Sequence, residues 1–358
     1  MVRKSFNIKN LMEVTKPKRP FPIYYPEKLT LSFSKKTSEK FSLPISQKFT
    51  EMEISIETGF LMNNSHPALP EFDYLTPTSL MEASQFLAGH PSDARAFMGG
   101  TDCFVRMRDG LLPMKTMVDV KPLDGMNEIR FDSAKGLTIG AAVPMNTVAK
   151  HPDIRKNYPL LAQAAETVAS YQLRSRATIC GNICNASPAG DTIGASMVMN
   201  GVLTVHGVGG FRQEPLSKFF LGPGKTVLIP GDIVTAINFQ ILPAKSAGKY
   251  RKLGRNTLSD LSIVGVTVFG YPDKDTASGF RFKLALASVA PVPFVPVKAE
   301  EILTGSTISA ESIQSAAEAA MDSVTPIDDI RGSARYRKLM VRNLVNDTVT
   351  EVWKQLIV

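Results

Sequence analysis

The run RATICGNICNASPAGD, from Arg176 to Asp191, holds two cysteines, two glycines, two asparagines and a closing acid, with little that is bulky. Two chemistries suit such a mix: a metal site built on Cys180 and Cys184, or a cradle of main-chain N–H groups for an anion. Zinc takes four ligands in a structural site, or three and a water in a catalytic one. The third cysteine, Cys103, is remote and the four histidines (His66, His90, His151 and His206) are scattered. An iron–sulfur cluster calls for four thiolates. Ligand count therefore argues against metal, and Cys180 and Cys184 read as small packing residues.

A cradle needs glycines, which let backbone N–H groups approach an anion, and a helix start, which adds partial positive charge. The run offers Thr178, Gly181, Asn182, Asn185 and Ser187 as uncharged donors ahead of a helix. Asp191 would repel a phosphate; it suits a sugar hydroxyl, or the cap of the helix that follows. A second cradle, Gly99-Gly100-Thr101-Asp102, falls between a strand and a short helix, with the Thr101 hydroxyl as an added donor. Two uncharged cradles without a flanking lysine suit a diphosphate held through main chain. A further candidate, GPGKT at Gly222–Thr226, looks like the tail of a P-loop. That pattern needs glycine where Phe219 stands and a helix where VLIPGD reads as strand and turn, so it is rejected.

The elements that must carry these turns are legible from Pro70 onward. FDYLTP reads as a short strand, and Ser79-x-x-Glu82 as a capping box opening an amphipathic helix that stops at Gly89. Ala94–Met98 reads as strand, Cys103 to about Arg108 as helix, TMVDV as strand, and EIRFDSAKGLTIGAAV as a hairpin turning at Ser133–Gly136. YPLLAQAAETVA is a helix, the Arg176–Asp191 run a loop, and a helix follows from Asp191 to about Asn200. VLTVHG, DIVTAINF, LSIVGVTVFGY and RFKLALASVA read as strands. SAESIQSAAEAAMDSV and SARYRKLMVRNLVNDTVTEVW read as helices. This order predicts an α+β protein: two mixed segments, then an antiparallel sheet backed by helices.

A chain of 358 residues can hold two or three domains. Residues 1–48 carry eleven Lys and Arg against three Glu, an excess of eight that equals the net charge of the whole chain. The remainder is neutral, so the basic balance is no argument for nucleic acid binding. Three cysteines make no disulfide framework, no apolar run is long enough to span a bilayer, and no secretory signal opens the chain. The cytoplasm is the expected compartment. Residues 1–65, rich in Lys, Ser and Pro, read as a disordered basic extension, with a targeting or docking arm, or a natural start near Met62, as alternatives.

LPEFDYLTPTSLMEA, MGGTDCFVRMRDG, TICGNICNASPAGD, FFLGPGKT, KLGRN and TPIDDIRGSARYRKLMV occur in that order. Together they resemble the flavin-binding medium subunit of molybdenum hydroxylases, the family of xanthine dehydrogenase-like and aerobic carbon monoxide dehydrogenase-like flavoproteins. The resemblance runs from about Pro70 to the C-terminus. It implies a two-subdomain FAD-binding fold of the vanillyl-alcohol oxidase/PCMH type over residues 66–242, with subdomains of about 66–122 and 123–242. A C-terminal domain of a three-stranded antiparallel sheet with helices would follow over residues 247–358.

By the same resemblance, the first pyrophosphate turn falls on Phe97, Met98, Gly99, Gly100, Thr101, Asp102 and Cys103. The second falls on Thr178, Ile179, Cys180, Gly181 and Asn182, with Ser187 and Asp191 beyond it. A residue near the isoalloxazine falls at about Ile233. The family's second turn has paired glycines; Cys180 replaces the first, and its side chain is expected to point away from FAD.

The implied function is that of a subunit that does not itself oxidise the organic substrate. A large partner carries the molybdenum cofactor, and a small partner carries two [2Fe–2S] clusters that pass electrons to FAD, which delivers them to an acceptor such as NAD⁺. The sequence offers no nucleophile–base constellation of its own. Alternatives are a self-contained FAD-dependent oxidoreductase, an FAD-free assembly subunit and a nucleotide-binding regulator. The basic stretch Arg331, Arg335, Arg337, Lys338 and Arg342 reads as a solvated run, or as a dock for the iron–sulfur partner.

Overall fold

The computed structural model describes residues 69–256 and 260–358. The expectations for residues 1–65, including a start at Met62, lie outside the described residues.

The first layer is a parallel sheet in which β1 (Asp73–Leu75) and β2 (Ala94–Phe97) flank a central β3 (Thr116–Asp119). Helices α1 (Leu80–Gly89) and α2 (Cys103–Arg108) make the crossovers. Ser79 Oγ accepts the Glu82 N–H at 3.1 Å, as the capping signal requires. The returning arm of the box differs: the Glu82 carboxylate takes the N–H and hydroxyl of Thr78 instead of the Ser79 N–H.

The second layer is a five-stranded antiparallel sheet, in spatial order β4 (Ile129–Asp132), β5 (Gly136–Gly140), β10 (Ile233–Phe239), β6 (Val202–Gly207) and β7 (Gly210–Pro215). Between β5 and β6 the chain leaves the sheet for a helical excursion. Its members are α3 (Met145–Lys150), α4 (Pro152–Asn157), α5 (Pro159–Glu166), α6 (Tyr171–Arg174), α7 (Ile179–Cys184) and α8 (Asp191–Val198). The excursion carries the whole Arg176–Asp191 run. A small hairpin, β8 (Phe220–Gly222) with β9 (Lys225–Thr226), closes over GPGKT, in keeping with the rejection of a P-loop there.

The third layer is an antiparallel sheet of β11 (Ala247–Leu253), β12 (Val264–Pro272) and β13 (Phe280–Ala287), backed by α9 (Val297–Gly305), α10 (Ala310–Ser323) and α11 (Ala334–Leu356). Val264, Val266 and Val268 share one core with Val341, Val345, Val349 and Val352, a stripe at helical spacing along α11. The other face of β12 receives α8: a Cβ on Gly194 would lie 2.4 Å from Thr267 Oγ1. Burial on both faces explains why the β12 sequence is apolar almost without alternation.

The α+β order follows the sequence expectation, but β7, β8, β9, β11, α3, α4, α6, α7 and α9 do not show in its pattern. For β11 the reason is charge: Lys249 and Arg251 each pair with Glu351 of α11 at 2.7 Å, so ion pairs cover the strand where apolar side chains would have marked it. The loop reading of the Arg176–Asp191 run is corrected at α7. Gly, Asn and Cys are weak helix formers, and the turn is fixed by the Thr178 cap and by burial of Ile179, Cys180 and Ile183.

Candidate functional site

The first turn leaves the carboxyl end of β2, the end at which parallel sheets commonly hold ligands. Phe97 supports it from the small core, edge-on to Tyr74 and Phe104, with Lys121 Nζ 3.9 Å from its ring centroid. Gly100 has φ +72°, and a Cβ there would strike the Phe97 ring at 2.4 Å, so only glycine suits the position. Asp102 is the N-cap of α2 without a side-chain cap bond, and burial pushes the Cys103 thiol up. Among the described residues, the N–H groups of Gly99, Gly100, Thr101 and Asp102 have no acceptor.

The second turn is the start of α7. Thr178 Oγ1 accepts the Gly181 N–H at 2.9 Å, and the Cys180 N–H has no acceptor among the described residues. The Cys180 side chain is 1% exposed and belongs to the main core, where burial pushes its thiol well up. A Cβ on Gly181 would meet only the Thr178 hydroxyl, at 2.9 Å, and is otherwise in open space. Asn182 Oδ1 accepts from the Thr192 hydroxyl at 2.8 Å.

These turns meet main chain to main chain. A Cβ on Gly99 would lie 2.4 Å from Arg176 O and 3.1 Å from Ala177 Cα. Met98 Sδ stands 4.0 Å from Thr178 Oγ1, across 80 positions of sequence. Two glycine turns from separate layers thus lie directly against each other.

Asp191 departs from its capping expectation. It is the first residue of α8, the N-cap is Gly190, and no side-chain cap bond forms. Instead the Tyr250 hydroxyl donates to Oδ1 at 2.6 Å and Lys252 Nζ to Oδ2 at 2.8 Å. Burial pushes the Asp191 carboxyl up against the opposing pull of Lys252, while burial and then Asp191 push the Tyr250 hydroxyl well up. Lys252 also reaches Thr167 O at 3.4 Å, beside Ala169, whose φ is +41°. The carbonyls of Val168 and Ala169 both accept from Arg174 Nη1. Tyr250, Lys252 and Arg174 escape sequence reasoning, because no local pattern joins them to Asp191; only the KLGRN stretch marks Lys252.

Ser187 Oγ accepts the Ala189 N–H at 3.3 Å, within the turn that leaves α7. Ile233 is not drawn to the turns' surface; it is buried opposite His206 on β10, the strand on which α7 packs. The solvated reading of the basic stretch is corrected at Arg337, which is 1% exposed. Its guanidinium donates to Ile263 O at 3.1 Å and Ser288 O at 2.8 Å and pairs with Asp329 at 2.6 Å. A cleft of about 290 Å³ beside Leu242, lined by Phe131, Tyr158 and Phe269, includes none of the expected site residues.

Residues 70–242 match the family described as "FAD binding domain in molybdopterin dehydrogenase", and residues 249–352 match "CO dehydrogenase flavoprotein C-terminal domain". Among solved structures, the chain is 30% identical to one in carbon monoxide dehydrogenase from Hydrogenophaga pseudoflava, an enzyme form that lacks the Mo-pyranopterin moiety of the molybdenum cofactor. The match covers 80% of this chain and 99% of that one, with a TM-score of 0.76. The chain belongs to the FAD-binding flavoprotein subunits of the molybdenum hydroxylases. This flavoprotein is also 29% identical to the carbon monoxide dehydrogenase medium chain of Hydrogenophaga pseudoflava, over 79% of its own length and 98% of the relative's. It is 25% identical to the xanthine dehydrogenase FAD-binding subunit of Escherichia coli O157:H7, over 78% and 94%. Among the described residues, no helix is long and apolar enough to cross a membrane.

Proposed function

We propose that this flavoprotein binds FAD across the two turns and, inside a complex, hands electrons from a partner's [2Fe–2S] clusters to a final acceptor such as NAD⁺. The observation that carries the reading is the Gly99 contact, which sets side by side two turns in which the N–H groups of Gly99, Gly100, Thr101, Asp102 and Cys180 have no acceptor among the described residues. Adjoining phosphates would supply the missing acceptors, and neutral donors suffice because each bond to an anion is charge-assisted. Both turns open helices of only six residues, so the N–H groups outweigh any helix dipole.

In this reading Met98 to Cys103 and Thr178 to Asn182 hold the diphosphate. Each Asp191 oxygen keeps a lone pair beyond its bond to Tyr250 or Lys252, with which it would accept from a sugar hydroxyl. Ser187 shapes the same edge, and Ile233 acts through packing. Bound FAD accepts electrons singly and releases them in pairs, which no side chain of this protein can do. The chain's residues bind and orient it and exclude water. Residues 66–242 would serve as the FAD domain and 247–358 as its support. The partners would be a large molybdopterin-binding subunit and a small iron–sulfur subunit. Three free thiols suit the cytoplasm.

Gly181→Ala tests the cradle. A helix gains about 1 kcal/mol from Gly to Ala and loses about as much if the Thr178 cap is displaced, so the melting temperature should stay near wild type. FAD affinity, read by flavin fluorescence titration, should fall about tenfold or more, the factor that 1.4 kcal/mol represents. Unchanged affinity, or a native assembly without flavin and molybdenum, would overturn the reading.

A further inference from the structure

We infer that Ser262, Ser288, Arg337 and Asp329 are positioning residues for the turn between α7 and α8, and through it for the flavin. The inference rests on the FAD reading above and adds how that turn is held.

The turn from Asn185 to Gly190 is neither helix nor strand, and Ala186 within it has φ +48°. It must be exact in place, because it sets Asp191 on one side and the Thr192 hydroxyl that orients Asn182 on the other. Two bonds from the third layer grip its carbonyls. The Ser288 N–H donates to Pro188 O at 2.8 Å, and Ser262 Oγ lies 3.4 Å from Ala189 O. The two hydroxyls share a further bond of 2.7 Å.

Ser288 has φ +66°, a left-handed backbone that a non-glycine residue keeps only where its surroundings over-determine it. Arg337 is what does so. Its Nη1 donates to both Ser288 O and Ile263 O, fixing the end of β13 and the start of β12 together. Asp329 balances the buried guanidinium at 2.6 Å and is itself held by the Arg331 N–H at 2.8 Å. Arg331 Nη1 returns to Ser262 O at 3.4 Å, closing the circuit.

Packing alone does not call for such a knot, since well-packed apolar groups commonly replace buried ion pairs without loss of stability. What apolar groups cannot do is aim a hydroxyl and an N–H at chosen carbonyls. Lysine could not replace Arg337 either, because a point charge lacks the planar fork that spans two carbonyls and a carboxylate.

The test uses the full chain loaded with FAD, with Ser262→Ala and Arg337→Lys beside wild type. Titration gives FAD affinity, visible circular dichroism and midpoint potential report on the bound flavin, and a melt of the apoprotein reports on stability. Ser262→Ala should bind FAD about threefold to tenfold more weakly, the loss of one or two neutral hydrogen bonds, with a changed flavin dichroism. Arg337→Lys should move both readouts further. Should Arg337→Lys fail to fold, Ser262→Ala still decides. Wild-type affinity and dichroism in Ser262→Ala would overturn the inference and leave the FAD reading intact. A lower melting temperature with unchanged affinity, dichroism and potential would overturn it too, making the knot purely structural. Wild-type protein that binds no FAD would bring down the reading beneath it.

Discussion

Replacing Gly99 with alanine probes the contact on which both turns depend. The new methyl carbon would sit 2.4 Å from Arg176 O, 2.9 Å from its carbonyl carbon and 3.1 Å from Ala177 Cα. All three atoms are main chain, so no side-chain rotation relieves the clash. Carbon contacts relax only at about 3.5 Å, and the two turns must therefore part by about 1 Å. Overpacking of this kind costs about 1–3 kcal/mol. At about 2–4 °C per kcal/mol, the melting temperature should fall by about 2–12 °C while the fold persists. FAD suffers more, because parted turns lose about one charge-assisted bond to the diphosphate, each about 1.5–3 kcal/mol. Affinity should drop by about tenfold to a hundredfold. The assay is FAD per chain after gel filtration, with fluorescence titration and a thermal melt alongside. Gly89→Ala is the control: at the end of α1 its Cβ would meet nothing within 4 Å, so flavin content should equal wild type. If Gly99→Ala bound FAD as wild type does and melted at the same temperature, the turns would not depend on that approach.

Two further variants read other parts of the structure. Cys180→Gly should leave flavin occupancy equal or higher, because the thiol lies in the core; a small cavity and a helical glycine should lower stability by about 1–2 kcal/mol. The ratio of flavin to protein absorbance and a melt check both halves, and a clear loss of FAD would place the thiol at the cofactor. Asp329→Asn addresses pH. Hydrogen bonding to Arg331 holds the Asp329 carboxyl well below the usual range; burial opposes it, and the bond to Arg337 adds to it. A folded pKa below the unfolded one gives stability that is present above the unfolded value, about 3.9, and is lost as pH falls through the folded one. The variant should therefore be about 3 kcal/mol less stable at pH 7, where it strands a buried guanidinium, and the gap should narrow below about pH 4. Denaturant melts at pH 7 and pH 3 measure it; a gap independent of pH would reject the assignment.

Much of the fold was legible where one physical cause dominated. The stripe of Val341, Val345, Val349 and Val352 announces α11, and the apolar run of β12 announces a strand buried on both faces. Where two causes compete, the pattern blurs: β11 is charged because Glu351 waits for its Lys249 and Arg251. The glycine turns were visible one by one, since positive φ and close approach leave a compositional trace. Their meeting was not, because the distance from Gly99 to Arg176 is set by how two layers stack. Asp191 shows the same limit. Its partners, Tyr250 and Lys252, follow 59 and 61 positions later, beyond any local signal. Arg337 looked like one charge in a wet run, and only the carbonyls of Ile263 and Ser288 reveal that it is buried.

The bond from β11 to Asp191 also bears on the order in which the molecule matures on the ribosome. Both glycine turns are made before β11, and the strand that clasps Asp191 leans in turn on Glu351, 100 positions beyond Arg251. A nascent chain halted after β10 would carry both glycine turns with an unclasped acid beside them. The clasp on Asp191 is therefore complete only once α11 has been made.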